Sequence, residues 1–148
     1  MRGTDLLRAA LLCLLAPSLV AQQRAARRLK VGETVQGRLQ RGDVVLSRDS
    51  TYAKEWQLDA SAGLVVTIDL ASDSVDAYLI VYGPGLPHDL QDDDSGGSCN
   101  ARITVRFPTT GAYHIVVTTS EKRQVGPFTL SVTAGSKPKA LSRCRRTR

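Results

Sequence analysis

Apolar and polar residues alternate with a period of two along most of the chain, in short runs separated by turn residues. Residues 64–70 (LVVTIDL) set Leu64, Val66, Ile68 and Leu70 on one side and Val65, Thr67 and Asp69 on the other. Residues 102–107 (RITVRF) set Ile103, Val105 and Phe107 against Arg102, Thr104 and Arg106. The run 76–82 (DAYLIVY) is rich in aromatic and β-branched residues and stops at Gly83-Pro84-Gly85. Runs 113–119 and 127–133 continue the series, opened by Gly111 and Gly126, while 33–39 and 53–58 are weaker strands divided by the Arg41-Gly42-Asp43 turn. No window of this region carries the i, i+3, i+4, i+7 spacing of an amphipathic helix. Seven or eight short strands predict an all-β chain, an antiparallel, jelly-roll-like β-sandwich. Trp56, Tyr78, Tyr113 and Phe128 are expected to fill the space between its sheets.

The first residues follow a different pattern. Arg2 and Arg8 lead into an uncharged apolar run over 9–20, and Leu19, Val20 and Ala21 offer a small-residue cleavage site. This order reads as a signal peptide over 1–21, cleaved near Ala21, which makes the chain secreted or periplasmic. The run falls short of the roughly 20 residues that span a bilayer, so no transmembrane segment is expected in the mature chain. Cys13 leaves with the peptide and is preceded by Leu12, not by the small residue that a lipid-anchored signal requires. Cys99 and Cys144 remain, an even pair in an oxidising compartment; it permits one disulfide, with two free thiols or an intermolecular pair as alternatives.

Charge divides the mature chain further. The sequence of 148 residues has a formal net charge of +6. Residues 31–136, however, carry eight basic and thirteen acidic side chains, so the body is acidic and the bases gather at its ends. The organisation is a basic segment over 22–30, a sandwich over 31–134 and a basic tail over 135–148. Such terminal runs are either solvated or drawn to an anionic envelope surface or an acidic partner. Nucleic acid is not an expected partner, because neither a basic face nor interleaved aromatics support it.

The polar stretch with a definite signal is 88–100 (HDLQDDDSGGSCN). Asp92, Asp93 and Asp94 repel one another unless they are hydrated or neutralised by a cation, and Ser95, Ser98 and Asn100 add oxygens beside them. Calcium takes six to eight oxygens of this kind. With Asp73 and Asp76, these residues form a candidate calcium set; a hydrated acidic loop is the alternative. The spacing does not match an EF-hand. The two histidines, His88 and His114, lie in no metal or triad motif, and G-x-S-x-G, H-E-x-x-H and C-x-x-C are all missing. The chain is expected not to be an enzyme.

The stretches Gly37-Arg38-Leu39, Glu55-Trp56-Gln57-Leu58, Ala62-Gly63-Leu64, Asp76-Ala77-Tyr78-Leu79, Asp92-Asp93-Asp94, Thr110-Gly111-Ala112-Tyr113 and Gly126-Pro127-Phe128-Thr129-Leu130 come in an order and spacing that resembles the bacterial pre-peptidase C-terminal domain. The likeness runs over about 29–134. It implies a jelly-roll-like sandwich, non-catalytic and appended to secreted proteases and other exported enzymes. Related modules of collagenases bind collagen and hold calcium through an acidic N-terminal segment and a D-x-x-D-[AT]-Y stretch. Asp73 and Asp76 match that stretch, but the N-terminal segment here is basic. The Asp92–Asp94 turn matches the family's D-D loop, where carboxylates can instead cap a strand. The expected function is a secreted binding module, calcium-stabilised in one version, that engages an extracellular or envelope protein or polysaccharide. Its candidate contact residues are Tyr52 and Tyr82. The alternative is an accessory domain that assists folding, export or attachment of a secreted enzyme.

Overall fold

The alternating runs all form strands, and three short strands join them. In this computed structural model, residues 27–140, 142 and 144 are described. The expected signal peptide with its Ala21 site, and Arg143 and 145–148 of the basic tail, lie outside them. The strands are β1 (Arg27–Leu29), β2 (Thr34–Leu39), β3 (Val44–Leu46), β4 (Thr51–Ala60), β5 (Val65–Ala71), β6 (Ala77–Tyr82), β7 (Leu90–Asp92), β8 (Ala101–Arg106), β9 (Gly111–Thr119) and β10 (Gly126–Ala134).

One sheet has the order β1-β4-β9-β6-β7, with β3 pairing β4, and the other has the order β2-β10-β5-β8. The pairings are antiparallel except that of β1 with β4. From β4 onward the chain crosses between sheets at every connection but the one from β6 to β7. No helix forms among the described residues, and none there is long and apolar enough to cross a membrane.

The described residues form ten strands where the pattern predicts seven or eight. Strands β1, β3 and β7 are three residues each, too short to display a period, and pairing alone defines them. Strand β1 also starts within the basic segment assigned to 22–30. Its Arg27 and Leu29 pair with Trp56 and Leu58.

Alternation fixes the core. Val66, Ile68 and Leu70 of β5 face Leu79 and Val81 of β6 and Ile115 and Val117 of β9 across the sandwich, each 1% exposed or less. Phe107 and Tyr113 pack with ring centroids 4.1 Å apart, and Trp56 meets Phe128 edge-on at 5.7 Å. The Tyr113 hydroxyl finds the Thr109 carbonyl at 2.7 Å and the Pro84 carbonyl at 2.9 Å, so the buried O–H has a partner. Its ring lies against Gly83 at φ 158°, where a Cβ would stand 2.5 Å from Cδ1 of Tyr113. That contact explains why the chain needs glycine where the β6 run ends.

Trp56, Tyr113 and Phe128 fill the interior as expected. Tyr78 does not. Ala77, Leu79 and Val81 take the inner face of β6, so the period of two turns Tyr78, Ile80 and Tyr82 to the outside.

Candidate functional site

The outer face of the larger sheet is built from alternate residues of β4, β9 and β6. Register sets Tyr78 beside Thr118, Ile80 beside Val116 and Tyr82 beside His114. Across β9, Val116 is paired with Glu55 and His114 with Gln57. Outer faces of sandwiches are ordinarily polar and wet, yet here Ala53 is 5% exposed, Val116 7% and Thr118 2%.

Strand β3 is the reason for part of that burial. It runs beside the first residues of β4, with Val44 opposite Ala53 and Leu46 opposite Thr51, and forms a wall whose Val44 is 63% exposed. Between this wall and β6 lie two depressions of about 530 and 540 Å³. Both are lined by Leu46, Ile80 and Asp89, so they lie side by side along one trough-like face. Ala53, Val44 and Val116 complete the apolar floor at one end, and Tyr78, Thr118 and Gln91 line the other.

Glu55 anchors a polar cluster at the first end. One oxygen, Oε1, accepts the Tyr82 hydroxyl at 3.0 Å and lies 2.5 Å from His114 Nδ1. The rings of Tyr82 and His114 stack at 4.7 Å, 5° from parallel. Burial, and then the hydrogen bond and charge of Glu55, push the Tyr82 phenol up to about 12, because ionising it would put two negative charges in contact. Neither His114 nor Glu55 bonds a serine, threonine or cysteine among the described residues, so no activated nucleophile is assembled there. Arg27 and Asp89 place a charge of each sign along the trough, while Lys54 and Asp43 pair with each other at 2.5 Å under cover, their side chains 11% and 4% exposed.

Of the two tyrosines expected to make contacts, only Tyr82 lines the trough. Tyr52 alternates onto the side of Lys54 and Trp56 and so belongs to the opposite face of β4. His88 is an exposed turn residue, its Nδ1 3.1 Å from the Asp89 carbonyl. Sequence reading missed the trough because β3 gives no periodic signal. It also missed the Glu55–His114–Tyr82 cluster, although alternation in YHIVV and DAYLIVY places His114 and Tyr82 outside.

The smaller sheet treats its outer face differently. Thr67 is fully buried beneath the chain that follows β10. Its hydroxyl donates to the Gly135 carbonyl at 2.9 Å, accepts the Lys137 N–H at 3.0 Å and lies 2.9 Å from the Thr104 hydroxyl. Asp69 holds Arg102 at 2.5 Å and Lys137 at 2.7 Å. Arg102 also donates to the Pro138 carbonyl, and Ala140 N–H donates to Ser95 O at 2.8 Å. Cys99 and Cys144 form a disulfide that closes this strap.

The acidic residues separate into different environments. Asp92 caps a turn: Oδ2 accepts the Ser95 and Arg102 N–H groups, each at 2.9 Å, and Oδ1 accepts the Ser95 hydroxyl at 2.5 Å. Asp76 and Asp94 converge on the disulfide, with one carboxylate oxygen of each and both sulfurs within 4.8 Å of one another. Burial first, then the charges of Asp93, Asp76 and Asp92, raise the Asp94 carboxyl above its ordinary range. Asp73 and Asp93 do not join that group. Calcium draws its six to eight oxygens from carboxylates, carbonyls and water, and Asp76 and Asp94 bring two carboxylates together at this point.

No protein-family model matches the chain, and no curated protein is detectably similar in sequence. Solved structures are more informative. The pre-peptidase C-terminal domain of Bacillus anthracis collagenase superposes with a TM-score of 0.54 at 13% identity, over 73% of this chain and 94% of that domain. The chain has the fold of that domain. Among other solved structures, PliG of Salmonella Typhimurium, a periplasmic inhibitor of g-type lysozyme, shares the fold at a TM-score of 0.50 and 13% identity, covering 74% of this chain and 99% of its own. At such identities the likeness concerns architecture alone.

Proposed function

We propose that this chain is an exported, non-catalytic module that binds a protein partner in the trough on the outer face of its larger sheet. The observation that carries this reading is an apolar floor of Ala53, Ile80 and Val116 on the side of a sandwich that solvent normally covers. Its rim charges of both signs suit a polypeptide surface. Two proteins of the same fold support an exported setting, one a collagenase domain and one a periplasmic inhibitor. The second inhibits a protein, g-type lysozyme. In this reading Asp92 works as a turn cap, and Asp73, Asp76, Asp93 and Asp94 hold no resident calcium.

The test is a binding panel of extracellular proteins, including g-type lysozyme and collagen, alongside neutral and anionic polysaccharides. The native chain is compared with Val44→Glu, whose site is open enough to accept the charge without unfolding. A protein ligand held by the native chain and released by Val44→Glu supports the proposal. Retention of polysaccharide alone, or equal binding by both chains, contradicts it.

A further inference from the structure

Outside the trough, three separated stretches of chain bring four metal-ligating groups together. Asp76 lies in the turn entering β6, Asp94 and Cys99 in the loop after β7, and Cys144 beyond β10. Their donor atoms lie within 4.8 Å of one another, and Cys144 Sγ is 4.0 Å from Asp76 Oδ2. In the oxidised chain the two sulfurs are bonded to each other and offer no thiolate. A dithiol reductant changes this. The S–S bond takes up two electrons and two protons and becomes two thiols, while the reductant closes to its own disulfide. Every chain also passes through this thiol form before its bridge is made.

We infer that the thiol form holds a divalent ion of the zinc class between the sulfurs of Cys99 and Cys144 and the carboxylates of Asp76 and Asp94. Each thiol gives up its proton on ligation. Two sulfurs and two carboxylate oxygens suit a tetrahedral ion with bonds of about 2.3 Å to sulfur and about 2.0–2.2 Å to oxygen. Neighbouring ligands of such a tetrahedron stand roughly 3.3–3.8 Å apart by those bond lengths, so the oxygens draw inward and the sulfurs separate. Cys144 lies in no strand and can make that movement without breaking a ladder. Thiolate selects zinc-class ions over calcium, which prefers oxygen alone. Asp92 takes no part because backbone and hydroxyl donors already occupy its oxygens. Ion and bridge exclude each other, so they are two alternative ways of fastening the strap to the loop after β7.

The experiment uses the full chain, kept reduced and free of oxygen, titrated with Cd²⁺ as the probe and with Zn²⁺ in competition. One Cd²⁺ per chain is expected, with the ultraviolet band of cadmium–thiolate charge transfer, which Zn²⁺ abolishes and Ca²⁺ leaves unchanged. The Asp76→Asn/Asp94→Asn chain, whose folding is checked in the oxidised state where no metal is involved, should bind at least roughly tenfold more weakly, the lower end of what losing even an outer-sphere partner costs. In the native reduced chain, Zn²⁺ should slow alkylation of both thiols and slow formation of the bridge. Absence of the thiolate band, affinity equal to that of the asparagine variant, or alkylation indifferent to Zn²⁺ overturns the inference.

Discussion

The two outer faces of this sandwich solve the same problem in opposite ways. The face of β5, β8 and β10 is polar along its length, with Thr67 and Thr104 in register and Asp69 opposite Arg102. The chain's own strap covers it, every hydroxyl and charge at its centre has a partner, and a disulfide fastens the end. The face of β4, β9 and β6 carries Ala53, Ile80 and Val116 at its centre, has a wall on one side, and has no strap among the described residues. A polar face is completed internally because unmade hydrogen bonds are costly under cover. An apolar face with a wall but no lid is suited to receive something else.

The largest effect should come from unfastening the closed face. The bridge links residues separated by 45 positions, and a closed loop of that size stabilises by about 4 kcal/mol in the chain-entropy model. Cys144→Ser should lose that order of stability in urea denaturation, and a loss below about 1 kcal/mol would mean that the strap holds without its fastener. Next comes Thr67→Val, which keeps the shape but leaves the Lys137 N–H and the Gly135 carbonyl without their partner. A cost of about 1–3 kcal/mol is expected, and an unchanged midpoint would show the strap to be loosely laid. On the open face, Val44→Glu should stay within about 0.5 kcal/mol of the native chain while losing partner binding.

The smallest effects concern ionisation and metal. The Tyr82 phenol titrates at about 12 in the fold against an ordinary 10.0. Its folded value is the higher one, so its contribution is complete below pH 10 and is lost as the pH rises from there towards 12. Tyr82→Phe should flatten the fall of stability in that window, and an identical fall in both chains would assign it to other groups. For the oxidised chain, millimolar Ca²⁺ should leave the melting temperature unmoved. A rise that disappears in Asp76→Asn would restore the calcium reading.

How much of this was legible in the sequence follows from where the information lies. Alternation over 64–70 and 102–107 named the inner residues of β5 and β8, because a sheet with one buried face must repeat every two residues. Trp56, Tyr113 and Phe128 were expected in the core for their aromatic bulk, and they are buried there. Tyr78 was misplaced because aromatic character was read ahead of phase: Ala77, Leu79 and Val81 are smaller, yet they hold the inner positions. Tyr82 was legible as a contact residue, but its partners were not, since Glu55 and His114 reach it through strand pairing across 27 and 32 residues of sequence. The wall of β3 and the convergence of Asp76, Asp94 and the cysteines depend on tertiary placement, and no local pattern encodes them.

The most direct test of the open face is an amide chemical-shift map of the isotopically labelled chain, titrated with the protein ligand retained from the panel. Changes should concentrate at Val44, Ala53, Ile80, Tyr82 and Val116, with Thr67, Thr104 and Lys137 left still. Changes centred on the strapped face, or on the loop that carries Asp94 and Cys99, would contradict it.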